Sequence, residues 1–158
     1  MPAPALDLRG TLTQARTLCH APGVSKKRLF ETAAALIHED QPHLEASDIF
    51  ARFLAREKLG STALGDGIAI PHCRIGNCQR ALGTLITLAD PIDFDAPDEQ
   101  RIDVLFLLLV PEEAHEEHLN LLAGLARNLS SPEYRQGLRN AEDAEALYKF
   151  ATAFKLPA

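Results

Sequence analysis

The sequence predicts one α/β (α+β) domain in which a mixed central β-sheet is flanked by helices. Apolar residues recur at helical spacing toward both ends of the chain, and short apolar segments typical of strands lie between them. The length of 158 residues fits one domain, and a hydrophobic content of 46% is enough to build its core. We expect residues 1–10 to be an extended N-terminal segment and residues 11–155 to form the domain.

Two amphipathic helices are predicted in the first part of the chain. Ser25 is a suitable N-cap, and the apolar residues behind it recur at helical spacing, so a helix should span 25–39. A second helix should begin near Ser47 and end at Gly60, because glycine is a natural helix stop.

Three apolar segments in the middle of the chain are predicted strands. Residues 68–70 form a short segment that ends at Pro71. Residues 82–88 have the composition of a second strand. Residues 102–110 are almost continuously apolar, which is typical of a central strand that is covered on both faces.

Helices are predicted again after the last strand. A long helix should span about 113–129. A short one should follow Ser131, because serine before proline is a common helix start. A last helix should span 141–153, with its apolar residues turned inward.

Charge and cysteine content exclude several function classes. Sixteen basic and 22 acidic residues give a net charge of −6, whereas nucleic-acid binding usually requires a basic surface. The longest apolar run, 104–110, is far short of the roughly 20 residues that span a bilayer, so no direct membrane insertion is expected. An odd number of cysteines without a signal peptide favours a reducing, cytoplasmic location.

The most informative stretch runs from Arg56 to His72. It combines a glycine-rich loop, an apolar segment and Pro71, which fixes the backbone just before His72. A side chain held at a rigid strand end is well placed for chemistry. The loop is not a nucleotide-binding P-loop, because its last glycine is not followed by Lys-Ser/Thr. The residues alone also allow a surface histidine after a strand.

Three further candidates leave similar alternatives open. His118 lies at the edge of the apolar stripe of the 113–129 helix and is either a functional or a core histidine. Arg56 is either a phosphate-binding guanidinium or a solvated cation favoured by the helix C-terminus. The loop residues Gly60, Ser61 and Thr62 could offer donors to a phosphoryl group.

The histidines and cysteines do not form a metal-binding pattern. His115 and His118, like Cys73 and Cys78, lack the spacing of a compact zinc site. Because neighbours on an extended chain point to opposite faces, His72 is poorly placed to activate Cys73. We therefore expect no metal, and a small buried thiol at Cys73.

The stretch 56–72, Arg-Glu-Lys-Leu-Gly-Ser-Thr-Ala-Leu-Gly-Asp-Gly-Ile-Ala-Ile-Pro-His, closely resembles a known active-site signature. The signature is that of the fructose/mannitol-type IIA domain of the bacterial phosphoenolpyruvate-dependent phosphotransferase system. The resemblance extends over roughly residues 10–155. Residues 18–28 are most similar to the stand-alone nitrogen-regulatory members, so we expect no attached IIB, membrane or phosphocarrier domain.

This resemblance implies the IIA fructose/mannitol-type fold and a set of site residues. The family's phosphorylated histidine falls on His72, its second active-site histidine on His118 and its active-site arginine on Arg56. His118 would then hydrogen-bond a phosphoryl oxygen, Arg56 would stabilise its charge, and no cofactor would be needed. Cys73 replaces a glycine of many members, and Asp66 an asparagine. We expect Asp66 to face away from the phosphoryl group.

The resemblance also implies partners and a function. The phosphoryl donor would be an HPr-like phosphocarrier, and the regulated proteins would be potassium-transport components or sensor kinases. The expected function is a phosphotransferase with a mainly regulatory role in nitrogen control. One alternative is a IIA carrier that passes phosphate to a IIB domain in fructose or mannitol uptake. Another is a non-enzymatic α/β protein-binding module.

Overall fold

The order of secondary structure places the sheet between two groups of helices. The computed structural model of the protein describes residues 7–113 and 116–156, and the side chains of all of these except 116 and 117. Within these ranges the strands are β1 (Leu12–Ala21), β2 (Ala63–Gly65), β3 (Ile68–Ala69), β4 (His72–Ile75), β5 (Leu82–Ile92) and β6 (Ile102–Pro111). The helices are α1 (Lys26–Asp40), α2 (Ala46–Lys58), α3 (Glu116–Leu129), α4 (Pro132–Asn140) and α5 (Ala144–Ala153).

The sheet is mixed, as the sequence predicts. Its strand order is β1-β5-β6-β3-β2, and β4 pairs with β6 beyond the end of β3. β6 runs antiparallel to β5 and parallel to β3 and β4. Its residues 104–110 are all buried, because helices cover both faces of this central strand.

Alternation along β6 divides the interior into two apolar clusters. Leu105, Leu107 and Leu109 pack with the buried faces of α1 and α2. The residues between them, such as Phe106, pack with α3, α4 and α5 on the opposite face. The prediction of one mixed sheet flanked by helices is confirmed.

The helix starts follow from their capping residues. The hydroxyl of Ser25 accepts a hydrogen bond from the Arg28 N–H, and that of Ser131 accepts one from Tyr134. The last helix begins later than predicted, since Asp143 caps it and residues 141–143 lie outside it. No helix within the described ranges has the length and apolar character needed to span a bilayer.

The N-terminal part of the domain differs from the prediction. Leu8 is 1% exposed, and its carbonyl accepts from the Leu12 N–H across a turn at residues 9–11. Residues 1–6 lie outside the described ranges. β1 was not expected, because buried Arg16 interrupts its apolar pattern. The Arg16 guanidinium donates to the Gly83 carbonyl at 3.0 Å and pairs with Asp40.

Candidate active site

One pocket brings three of the predicted site residues together. It has a volume of about 540 Å³ and lies where the end of α2, the start of β4 and the beginning of α3 meet. His72, His118 and Arg56 all line it, although they come from three separate elements. The other lining residues are Arg52, Ala55, Leu59, Cys73, Arg74 and Val110.

Backbone contacts fix His72 at the start of β4. Pro71 falls between β3 and β4, and its carbonyl accepts from the Leu108 N–H of β6 at 2.8 Å. The His72 Nδ1 atom lies 2.7 Å from the Ile70 carbonyl oxygen. A carbonyl oxygen only accepts, so Nδ1 carries the proton and Nε2 carries the lone pair. The backbone contact thus leaves the Nε2 lone pair without this partner.

Arg56 lies in the last turn of α2 and is half-buried. Its Nη1 atom donates to the Gly60 carbonyl at 3.1 Å, which satisfies one of the acceptors just beyond the helix. A guanidinium has five N–H donors, so this contact does not exhaust its capacity to bind an anion. Leu59, 84% exposed, gives the pocket an apolar rim beside Arg56.

His118 reaches the pocket because α3 follows β6 after a short connection. The end of β6 pairs with β4, so the first turn of α3 lies near His72. The His118 side chain is half-buried and lines a second cavity of about 380 Å³ as well. His115 lies outside the described residues.

The hydroxyl groups of Ser61 and Thr62 bind acceptors within the protein. The Thr62 hydroxyl donates to the buried Glu57 carboxylate at 2.9 Å, and the Ser61 hydroxyl donates to the Phe94 carbonyl at 3.3 Å. Along the described chain, Gly60, Ser61 and Thr62 are absent from the pocket lining. These contacts occupy both hydroxyls in the unphosphorylated chain. A phosphate-donor role for Gly60, Ser61 and Thr62 stays a prediction.

Glu57 is a positioning residue that sequence reasoning missed. Its carboxylate also accepts from the Lys26 ammonium at 3.2 Å, which ties the start of α1 to the loop. The available signal was its spacing, because Glu57 follows Ile49 and Phe53 at intervals of four on the buried face of α2. A carboxylate in such a stripe indicates a buried polar anchor.

Two arginines of the pocket were also missed. Arg52 precedes Arg56 by one helical turn and shares its face. Arg74 follows His72 by two residues in β4, and alternate residues of a strand share a face. Both spacings were available in the sequence. Asp66 is absent from the pocket lining, and its carboxylate lies 3.8 Å from Arg135.

The Cys73 thiol lines the pocket without being activated. Burial raises the pKa of Cys73 to about 12. Alkylation proceeds through the thiolate, so labelling by iodoacetamide at pH 8 should be at least about tenfold slower in the folded chain than in urea. The rate should increase as the pH rises, since more thiolate forms.

This labelling is best measured in a Cys19→Ser/Cys78→Ser variant, where Cys73 is the remaining thiol. Equal rates for the folded and the urea-unfolded variant would contradict the protected state of Cys73. Within residues 7–113 and 116–156, no cluster of His, Cys, Asp or Glu side chains could hold a metal ion.

Comparisons with known proteins identify the family. Residues 12–153 match the model of the phosphoenolpyruvate-dependent sugar phosphotransferase system, EIIA 2. The chain is 49% identical over 144 residues to a nitrogen regulatory protein of Pseudomonas aeruginosa. The aligned region covers 91% of the chain and 94% of that protein. Its counterpart from Escherichia coli K12 is 40% identical over 141 residues, 89% of the chain and 83% of that protein.

Solved structures agree with this relationship. The crystal structure of nitrogen regulatory protein IIA-Ntr from Neisseria meningitidis superposes with a TM-score of 0.84 at 40% identity, covering 90% of the chain and 97% of that structure. Mannitol IIA from Escherichia coli, at 15% identity and a TM-score of 0.72, shares the fold over 89% of the chain and 99% of that structure. The chain therefore belongs to the EIIA 2 family of the phosphoenolpyruvate-dependent phosphotransferase system.

Proposed function

We propose that this protein is a nitrogen-regulatory IIA component that accepts a phosphoryl group on His72 from an HPr-like phosphocarrier. Family membership and relatives named nitrogen regulatory protein support the role. The observation that carries the site assignment is the hydrogen bond from His72 Nδ1 to the Ile70 carbonyl. It leaves Nε2 as the nucleophile in a pocket shared with Arg56 and His118.

The transfer is a displacement at phosphorus. The Nε2 lone pair forms the new N–P bond while the P–N bond of the donor phosphohistidine breaks, and its electron pair leaves with the donor imidazole. His72 keeps the proton on Nδ1, so its ring becomes positively charged. The Ile70 carbonyl then accepts a stronger, charge-assisted hydrogen bond, which stabilises the phosphorylated ring.

The remaining pocket residues stabilise charge and position the group. Arg56 neutralises charge on the phosphoryl oxygens, and His118 donates a hydrogen bond to one of them. The exposed leucines Leu59 and Leu119 provide apolar surface on which the phosphocarrier docks. Contact with a docked donor also keeps water away from the phosphoryl group, which favours transfer over hydrolysis.

Phosphorylation supplies the regulatory signal. It adds a charge of about −1.5 to −2 at neutral pH beside an apolar docking surface. A partner that binds the unphosphorylated surface then meets a dianion, and its affinity changes. Potassium-transport components and sensor kinases are the partner classes for this regulation.

The function is tested with phosphoenolpyruvate, the first enzyme of the cascade and an HPr-like phosphocarrier. The wild-type chain should take up one acid-labile phosphate on His72, and NMR spectroscopy should show that it is bound to Nε2. Absence of uptake, or uptake on another residue, would contradict the proposed function, and a phosphate on Nδ1 would contradict the ring assignment. Pull-downs with His72→Ala and His72→Glu should recover different partners, whereas identical sets would contradict regulation by phosphorylation.

A further inference from the structure

Arg52 lies at the rim of the pocket between two carboxylates. Its Nε atom is 3.5 Å from Asp48 Oδ1, and its Nη2 atom is 3.7 Å from Glu112 Oε1. About half of each side chain is exposed. Long contacts between exposed charges are weak, so Arg52 is loosely held and can exchange its partner.

Glu112 links this rim to the chain that leads into α3. It directly follows β6, and its backbone carbonyl accepts a hydrogen bond from Arg74 Nη1 at 3.2 Å. Its side chain thus pairs with one pocket arginine and its backbone with another.

A phosphoryl group on His72 would compete directly with Glu112 for Arg52. Both Arg52 and His72 line the same pocket. The phosphoryl group has up to two negative charges and three acceptor oxygens, and a guanidinium binds such a group with paired hydrogen bonds. The half-exposed Glu112 carboxylate offers one charge at 3.7 Å. The phosphoryl group is therefore the stronger partner.

We propose that Arg52 binds the phosphoryl group and exchanges Glu112 for it when His72 is phosphorylated. The proposal rests on the proposed function, in which His72 is the phosphorylated residue. In the unphosphorylated chain, Glu112 occupies Arg52 and lowers the affinity of the site for the phosphoryl group. In the phosphorylated chain, Arg52 binds the phosphoryl group and Glu112 is released. Regulated partners then meet a changed segment at residues 111–113.

The exchange predicts a coupled effect on the transfer equilibrium. The full-length chain is equilibrated with phosphocarrier at a fixed total phosphate, and the phosphorylated fraction of each protein is measured. Glu112→Gln should shift the equilibrium about twofold to fivefold toward the phosphorylated chain, because it frees Arg52. Arg52→Gln should shift it about tenfold the other way, and Arg52→Lys should restore part of this loss.

The double variant separates partner exchange from simple charge repulsion. In the Arg52→Gln background, Glu112→Gln should have little effect, because no guanidinium remains to be freed. Equal effects of Glu112→Gln in both backgrounds would overturn the proposal. Glu145→Gln, which removes an exposed ion pair with Lys149 on α5, is the matched control and should leave the equilibrium unchanged.

Chemical phosphorylation makes the test independent of the cascade. Phosphoramidate transfers its phosphoryl group to Nε2 as its P–N bond breaks and ammonia leaves. The Glu112 carboxylate resonance should then shift in the wild type and stay in place in Arg52→Gln. A stationary resonance on a phosphorylated wild type would overturn the exchange. Labelling by phosphoramidate but not by the cascade would overturn the proposed function alone, and labelling by neither would overturn both.

Discussion

A His72→Ala variant is expected to accept no phosphoryl group from the phosphocarrier. The substitution removes the Nε2 nucleophile and leaves Arg56 and His118 without an acceptor to assist. His118→Ala keeps the nucleophile but loses a hydrogen bond to the phosphoryl group, so transfer should slow by about 10²–10³-fold. Both rates are measured by quenching the reaction and determining the phosphorylated fraction by mass spectrometry.

His38 provides an internal control for this prediction. Its Nδ1 atom lies 2.7 Å from the Leu44 carbonyl oxygen, which is the same type of contact that His72 makes. Among the described residues that line the pocket, however, His38 is not found. Phosphate on His38, or uptake by His72→Ala, would show that the pocket does not determine the acceptor. The His72→Ala variant should remain folded, because His72 is only half-buried. The substitution removes one hydrogen bond, worth about 1 kcal/mol.

Glu57→Ala is expected to cause the largest loss of stability among changes near the site. The Glu57 side chain is 3% exposed, accepts two hydrogen bonds from Thr62 and pairs with Lys26. Removal of one partner of a buried pair typically costs about 3–5 kcal/mol. Because Lys26 is 20% exposed and can be partly rehydrated, we expect about 2–4 kcal/mol here. Urea unfolding at pH 7 measures the change.

A matched variant distinguishes burial from charge. Glu31 pairs with Arg28 on the exposed face of α1, with side-chain exposures of 42% and 71%, and Glu31→Ala should change stability by less than about 1 kcal/mol. Equal midpoints for Glu57→Ala and Glu31→Ala, at an unchanged dependence on urea, would disprove the anchoring role of Glu57. The loss of stability in Glu57→Gln should lie between those of Glu57→Ala and Glu31→Ala, because the amide oxygen still accepts from Thr62.

Local patterns were enough to predict most of the fold. The long apolar run of β6 and the capping serines Ser25 and Ser131 depend on neighbouring residues alone, and all three predictions are confirmed. β1 was missed, since a buried arginine interrupts its apolar pattern. Arg16 is tolerated there because Gly83, Thr11 and Asp40 satisfy its guanidinium. Those partners become available only when the sheet and α1 are assembled.

The candidate site was predictable in its residue types but not in its contacts. The family resemblance pointed to His72, Arg56 and His118, whereas the residue patterns alone left structural roles open for each of them. Spacing could not decide whether these side chains meet, because each lies on a different element. The sequence position of Ser61 and Thr62 suggested a phosphate-binding loop. In the structure their hydroxyls donate to the Phe94 carbonyl and the Glu57 carboxylate.

The sequence by itself determined the helix and strand pattern, the fold class and the resemblance that identifies the family, because all of these depend on the order of residues. The tertiary structure alone decided which charges surround His72 and which of its nitrogens faces the Ile70 carbonyl. Pairing of β4 with β6 brings His118 toward His72, and the Ile70 carbonyl holds the proton on Nδ1. Such choices depend on distances between atoms, and those distances are set only when the two faces of the sheet are packed.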